Sequence, residues 1–342
     1  MKLLEMFPSD CIQHQKGDVL LVKYPPSKKH DPAYSFFRSV VYHQNQLVCV
    51  SPSKSIPYST FCEKYPIEEC CVEEFIEGTM INLWYGDKWN LSTRSILDAT
   101  CTFESDKTFS EMFDECMEED PLDLSSEYCY SVVMQHPENI IITPITCKRL
   151  YIVGKYRIVD GVVQECELTK HSPKQFHVQS YEEAEALAQT VEGKGLMIKC
   201  KGERAKIKRT LYYEREAIKG NSPFRFLYLC MRNTPELVHF LKEFPWYTTE
   251  AANIETTILQ VIQTLYTSYV TYYIRKQLMP PTFPHKKMLC QIHSIYLNIR
   301  PARITHAIVS TFVNQLHVFQ LTTLLRVWRT AHTTPSPPYT IR

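Results

Sequence analysis

The chain contains 342 residues, 44% of them hydrophobic and 22% charged, which is ordinary for a globular protein and excludes wholesale disorder. Its 38 Lys and Arg residues nearly balance its 37 Asp and Glu residues, so the formal net charge is +1. No run approaches the roughly 20 apolar residues that a membrane helix needs, and the N-terminal segment lacks the apolar stretch of a signal peptide. We therefore expect no membrane partner.

The 13 cysteines are an odd number and include no C-x-x-C motif. Cys70 and Cys71 are adjacent, but no histidine lies beside them at a spacing suited to zinc. We therefore expect free thiols that pack as small apolar groups in a reducing compartment. This predicts a cytoplasmic protein or, if the chain is viral, one in the host cytoplasm or the virion.

The first two thirds of the chain have the pattern of antiparallel strands, with short β-branched and aromatic runs separated by polar turns. We predict strands at residues 18–24, 37–42, 46–50, 70–76, 79–85, 88–94, 129–134, 138–143, 149–157, 195–200 and 204–208. Amphipathic spacing predicts helices at 107–120 and 180–194. This part of the chain is therefore predicted to be α+β with antiparallel sheets.

After Arg232 the periodicity becomes helical, which predicts an all-α domain. We predict helices at residues 236–244, 253–278, 286–299 and 304–328. The sequence thus divides into a first domain at 1–232, a helical domain at 233–330 and a Pro-rich tail at 331–342.

The near-zero net charge hides a strong segregation. Residues 104–127 contain ten acidic residues and one basic residue, whereas 194–232 contains eleven basic and three acidic residues. Beyond Glu255 the sequence has no Asp or Glu, and nine Lys or Arg residues follow. A basic C-terminal half is typical of a polyanion partner, although a solvated face or a protein partner gives the same pattern.

One segment carries a recognisable motif. Residues 75–79 read FIEGT, and they are followed by a strand, a turn and a second strand that ends in Thr93-Arg94. This arrangement resembles the first motif of the covalent nucleotidyltransferases, which include RNA ligases, DNA ligases and mRNA capping enzymes. In that motif, Lys-x-Asp-Gly-Ser precedes the strand pair.

Further segments resemble later motifs of the same group, in the same order. They are residues 36–61, 130–142, 150–158 and 195–208. The resemblance is to the phage RNA ligases that repair broken tRNA and to their relatives in large DNA viruses. It implies a ligase-type nucleotidyltransferase fold over residues 1–232, followed by the helical domain.

In these enzymes a lysine attacks the α-phosphate of ATP to form lysyl-AMP, and later carboxylates bind ribose or a divalent metal. The resemblance therefore implies ATP and Mg²⁺ as cofactors and RNA as the partner. Here, however, Phe75 stands where the nucleophile belongs, and Val133 replaces the middle carboxylate. The carboxylate of the fourth motif falls on Lys194, or on Glu192 if one residue is gained.

The cationic positions of the family persist. By resemblance, we expect nucleotide or phosphate to be bound by Arg38, Lys54, Glu77, Arg94, Lys206 and Lys208. Arg326 and Arg329, in the basic helical part, are expected to contact RNA. Lys54 and Glu192 are the substitutes that an active enzyme would use, and no residue is assigned as a metal ligand.

Three functions follow. The first is an RNA-ligase-like protein that binds RNA, with or without nucleotide, and forms no lysyl-AMP because Phe75 has no amine. The second is an active ATP-dependent RNA ligase that uses a displaced lysine. The third is a structural or assembly protein of a viral particle or transcription complex. Phe75 and Val133 also fit ordinary core positions on central strands.

Overall fold

The structure is a computed structural model that describes residues 7–168, 170–277 and 285–332. Its contacts divide the chain into two compact units, Met1–Gly220 and Asn221–Arg342. The division lies before the expected domain boundary at 232, because the residues around 224–231 form a helix in the second unit. The predicted Pro-rich tail lies outside the described residues from position 333 onward.

The first unit contains three antiparallel sheets, and its strands alternate with four helices. The strands are β1 (Ile12–Lys16), β2 (Val19–Lys23), β3 (Val40–His43), β4 (Gln46–Val50), β5 (Cys71–Glu74), β6 (Thr79–Tyr85), β7 (Trp89–Thr93), β8 (Tyr128–Gln135), β9 (Arg149–Val159), β10 (Val162–Glu165), β11 (Gln175–Phe176), β12 (Gly195–Cys200) and β13 (Glu203–Lys208). The helices are α1 (Tyr58–Lys64), α2 (Phe109–Glu119), α3 (Tyr181–Thr190) and α4 (Thr210–Lys219).

The sheets have the orders β1-β2-β3-β4, β10-β9-β8-β6-β7 and β11-β5-β12-β13. The hairpins β6–β7 and β12–β13 lie where the sequence predicts them, so the α+β prediction with antiparallel sheets is confirmed. Helix α2 begins with a capping box, in which Thr108 and Glu111 satisfy each other's backbone amides.

The β11-β5-β12-β13 sheet positions the site by simple alternation. One face is apolar and packs against helices α1 and α3, through Val72, Leu196, Ile198, Ala205 and Ile207. The intervening residues therefore share the opposite face. That face carries Glu73, Lys199, Arg204, Lys206 and Lys208.

The second unit is helical in its described part, as predicted. Its helices are α5 (Phe224–Met231), α6 (Pro235–Glu243), α7 (Thr248–Tyr269), α8 (His285–Ile299), α9 (His306–Asn314) and α10 (Val318–His332). A π-helical turn at Val270–Ile274 continues α7. Among the described residues, no helix is long and apolar enough to cross a membrane.

Two element predictions are wrong. Residues 138–143 form no strand, because the amides of Ile142 and Thr143 donate to the Glu77 carboxylate at 2.6 and 3.1 Å rather than to a neighbouring strand. The predicted helix at 304–328 is two helices, α9 and α10. Between them, the carbonyl of His317 accepts a hydrogen bond from the Gln320 amide, and this contact forms the first turn of α10.

Candidate functional site

Phe75 lies directly after strand β5. Its amide donates a hydrogen bond to the carbonyl of Gly195 at 2.9 Å. Gly195 has φ +114°, and a Cβ there would lie 2.2 Å from the carbonyl oxygen of Ile207, so only glycine fits. These backbone contacts hold the half-buried Phe75 beside the charged face of the sheet.

Two lysine side chains converge on the Phe75 ring. The Nζ of Lys206 lies 4.8 Å from the ring centroid and that of Lys194 lies 5.2 Å away, both within cation–π range. The Nζ of Lys194 also lies 5.8 Å from the ring centroid of Tyr212 on α4. In the described ranges, neither ammonium group has a carboxylate within ion-pair distance. Both groups instead make cation–π contacts with aromatic rings.

Burial and neighbouring cations disfavour the charged form of both lysines. Desolvation, followed by the charges of Arg38 and Arg204, lowers the pKa of Lys206 to about 8. Desolvation also lowers the pKa of Lys194, although the Glu77 carboxylate acts in the opposite direction. We call this group the Phe75 cluster; its members are Phe75, Arg38, Lys194, Arg204, Lys206 and Lys208.

Lys208 stands at the edge of the Phe75 cluster and has partners of its own. Its Nζ lies 3.0 Å from the ring centroid of Tyr213 and 3.6 Å from a carboxylate oxygen of Glu216, both on α4. Desolvation lowers the pKa of Lys208, and Glu216 partly restores it. Lys208 is therefore a partly neutralised member of the cluster.

Glu77 is buried and has a structural role in this geometry. Its Oε1 accepts hydrogen bonds from the Ile142 and Thr143 amides and, at 3.2 Å, from the Tyr212 hydroxyl. The next residue, Gly78, leaves no room for a side chain, because a Cβ would lie 2.3 Å from the carbonyl oxygen of Met134. The carboxylate thus ties the segment after Phe75 to a loop and to α4.

Two other predicted residues, Lys54 and Arg94, interact electrostatically with Arg38 of the cluster. Lys54 contacts the carbonyl of Lys29 and lies 3.0 Å from His30 Nδ1. The guanidinium of exposed Arg94 lies 5.9 Å from the Tyr24 ring centroid. The charge of Arg38 helps to lower the pKa of Lys54, after desolvation and Lys29.

The two positions at which the resemblance expects later carboxylates are Glu192 and Val133. Desolvation raises the pKa of Glu74, and the charge of exposed Glu192 adds to this effect. Val133 packs against Gly78, where a Cβ on the glycine would lie 2.7 Å from Val133 Cγ1.

The second unit carries the two arginines that we assigned to RNA contact. Arg326 is exposed and Arg329 is half-buried, and both lie on helix α10. Their assignment to RNA stays a prediction.

Sequence reasoning missed two features of the charged face. The resemblance gives Lys194 only as a position for a carboxylate and predicts no role for the lysine itself. Its two neighbours are glycines, Gly193 and Gly195, which allow other backbone segments to approach closely. An ion pair was also missed, in which Lys199 Nζ lies 2.5 Å from buried Glu73. Desolvation raises the pKa of Glu73 despite this partner.

A cavity of about 330 Å³ opens at the hairpin end of the same face. Its walls include Pro52, Tyr156, Glu165, Lys199 and Arg204. Arg204 is anchored here, since its Nε donates to the Ser53 carbonyl at 2.6 Å. The cavity therefore adjoins the Phe75 cluster through a shared arginine.

The residues present fit a phosphate better than a metal. Within the described ranges, no group of three or more His, Cys, Asp or Glu side chains is arranged to hold a metal ion. Beside Phe75, the Glu77 oxygen already accepts three hydrogen bonds. The side chains that face the Phe75 ring are the ammonium groups of Lys194 and Lys206, which suit an anion such as phosphate and do not themselves bind a divalent metal.

Comparison with known proteins gives weak but consistent similarities. No protein-family model matches the chain. The chain is 25% identical over 147 residues to an RNA ligase of Rhodothermus phage RM378, a match that covers 39% of this chain and 33% of that protein. It is 22% identical over 261 residues to an immediate-early protein ICP-46 homolog of Invertebrate iridescent virus 3, which covers 71% of this chain and 58% of that protein.

Among solved structures, two ligases align over most of their length. A putative ATP-dependent DNA ligase from Aquifex aeolicus gives a TM-score of 0.42 at 13% identity, covering 85% of this chain and 86% of that chain. An archaeal ATP-dependent RNA ligase gives 0.41 at 11% identity, covering 89% and 92%. Both proteins matched by sequence are viral, and the matches span 33% and 58% of their own length; the first of them is an RNA ligase.

Proposed function

We propose that this chain is a ligase-type protein that binds RNA by holding a phosphate group at the Phe75 cluster, and that it forms no lysyl-AMP. The observation that carries the proposal is the pair of ammonium groups, Lys194 and Lys206, that flank an aromatic ring and have no carboxylate of the described residues within ion-pair distance. An amine-free side chain at position 75 has no nucleophile to offer to ATP.

The charge balance of the cluster supports an anionic ligand. Desolvation of Lys206, followed by repulsion from Arg38, Arg204, Lys194 and Lys208, makes a positive charge there unfavourable, and this lowers the pKa of Lys206. A terminal phosphate brings up to two negative charges and several acceptor oxygens, so it offsets this repulsion directly. Arg38 and Lys208 supply further cations at the same place.

The proposal is tested by comparing RNA that differs in one phosphate. We expect a single-stranded RNA with a 5′- or 3′-terminal phosphate to bind more tightly than the same RNA with hydroxyl ends, as measured by fluorescence anisotropy at low salt. The pair Lys206→Ala and Lys208→Ala should remove this difference, whereas Arg326→Ala with Arg329→Ala should leave it intact. Equal losses in the two double variants would mean that binding is diffuse and that the cluster has no special role.

Covalent chemistry is tested separately with radiolabelled ATP and Mg²⁺. We expect no label on the protein after denaturing electrophoresis. A label that is lost in Lys54→Ala would overturn the proposal in favour of an active RNA ligase with a displaced lysine. Failure to bind any RNA, together with stoichiometric copurification with a viral particle or transcription complex, would instead favour an assembly role.

A further inference from the structure

An aromatic stack runs across the second unit, between the end of α7 and α8. The rings of Tyr269 and Tyr273 are stacked with centroids 5.1 Å apart, and those of Tyr273 and His293 are stacked at 4.1 Å. Tyr296 continues the series at 5.6 Å from His293, and the Arg300 guanidinium lies 4.7 Å from the Tyr296 centroid. We call this series the Tyr–His ladder.

The Tyr–His ladder differs from a core cluster in its exposure. Only Tyr269 is buried, whereas Tyr273, His293 and Tyr296 are half-buried. Tyr272 packs edge-on against Tyr273 with centroids 5.0 Å apart and is 38% exposed. Part of the aromatic surface of the ladder and of Tyr272 is therefore exposed to solvent.

The local backbone is also unusual. Tyr272 and Tyr273 belong to the π-helical turn Val270–Ile274, and not to the regular helix α7. Such turns are rare and recur at functional sites, because the extra residue redirects side chains. Here the turn places two successive tyrosines at the ladder.

Cations lie beside part of the ladder. Arg275, Lys276 and Arg300 are exposed, and no Asp or Glu occurs anywhere after Glu255. Desolvation, then the charges of Arg300 and Lys276, lower the pKa of His293, so these two cations act on the ladder itself. The surface therefore combines ring faces with uncompensated positive charge.

We propose that the Tyr–His ladder is a binding site for single-stranded RNA, in which an unpaired base stacks on the exposed ring of Tyr272 while Arg300 and Lys276 contact the phosphates. Single-stranded nucleic acid is recognised by this combination of aromatic platforms and basic surface. The inference rests on the RNA partner proposed above, but it involves different residues in the second unit and needs no terminal phosphate.

The test uses the full chain and an RNA 12-mer whose ends are both hydroxyl groups, so that a terminal phosphate makes no contribution. We expect Tyr272→Ala to weaken binding by about 5- to 100-fold, the range for loss of one stacked base, and Tyr272→Trp to retain it. Arg300→Ala should weaken binding and reduce the salt dependence by about one phosphate contact. Phe319→Ala is the matched control, because Phe319 is a 65% exposed aromatic in the same unit but outside the ladder.

A second readout reports stacking directly. The fluorescence of a 2-aminopurine base in the RNA should fall on binding to the wild type and to Tyr272→Trp, but not on binding to Tyr272→Ala. Unchanged RNA affinity in both Tyr272→Ala and Arg300→Ala would overturn the inference, as would no binding of the hydroxyl-ended RNA at low salt. The phosphate-dependent gain tested above is measured independently, so either proposal can fail while the other stands.

Discussion

Replacing Lys206 by methionine should stabilise the protein at neutral pH, although the lysine lies within β13, the edge strand of its sheet. The lysine pKa falls from 10.5 to about 8 on folding, chiefly through desolvation and then through repulsion from Arg38, Arg204 and Lys194. At about 1.4 kcal/mol for each pH unit, the charged lysine destabilises the fold by at most about 3 kcal/mol. Solvent screens part of this, so we expect Lys206→Met to raise the free energy of unfolding by about 1–2 kcal/mol.

The gain should depend on pH in one direction. The unfolded chain holds the Lys206 proton more tightly than the folded chain, so the wild type gains stability as pH rises from about 8 to 10.5. The difference between wild type and variant should therefore be full below pH 8 and should shrink as the pH approaches 10.5. Urea unfolding at pH 7 and pH 10, in buffers without phosphate or sulfate, measures it.

Lys201→Met is the matched control. Lys201 lies in the turn of the same hairpin, is exposed, and has its pKa raised by Glu69 rather than lowered. We expect no gain in stability from this variant at pH 7. A loss of stability in Lys206→Met at pH 7, or a gain that does not shrink at high pH, would refute the argument that the charged form of Lys206 destabilises the folded protein.

Three further outcomes follow from the structure of the first unit. Glu77→Ala should lower the free energy of unfolding by about 2–4 kcal/mol, because the buried Ile142 amide, the half-buried Thr143 amide and the Tyr212 hydroxyl lose their acceptor; faster hydrogen exchange at those amides would confirm the cause. Gly78→Ala should strongly destabilise the fold, because its Cβ would lie 2.3 Å from the Met134 carbonyl oxygen, and thermal melting should show little or no cooperative unfolding. Glu115→Gln should reduce stability at pH 7 but not near pH 2. Ion pairs with Lys107 and other cations lower the Glu115 pKa from 4.5 to about 2, so their stabilisation is lost as the pH falls from 4.5 to 2. An equal loss of stability at both pH values would contradict this account.

Local patterning was enough to predict most of the strands. The β6–β7 hairpin follows from short β-branched and aromatic runs on either side of Gly86-Asp87, and helix α2 follows from its apolar spacing. The β12–β13 hairpin likewise follows from its short turn at Lys201-Gly202. These features depend on residues that are neighbours in the sequence.

The failures occurred where a distant side chain decides the outcome. The segment 138–143 has strand-like composition, but its amides pair with Glu77, 65 positions earlier. The cation–π contacts of Lys194 are with Phe75 and Tyr212, which are both distant from it in the sequence. A single sequence carries no pattern for such contacts, because neither partner has a fixed spacing.

The Phe75 ring has a consequence for how this chain can change over time. A lysine at position 75 would place a third ammonium group about 5 Å from Lys194 and Lys206, where an attractive aromatic quadrupole now lies. Placing an amine there is therefore unfavourable for stability unless one of the flanking lysines is lost first. The Phe75 ring and the two lysines thus constrain one another, and a change at one of the three positions alters what the other two can accept.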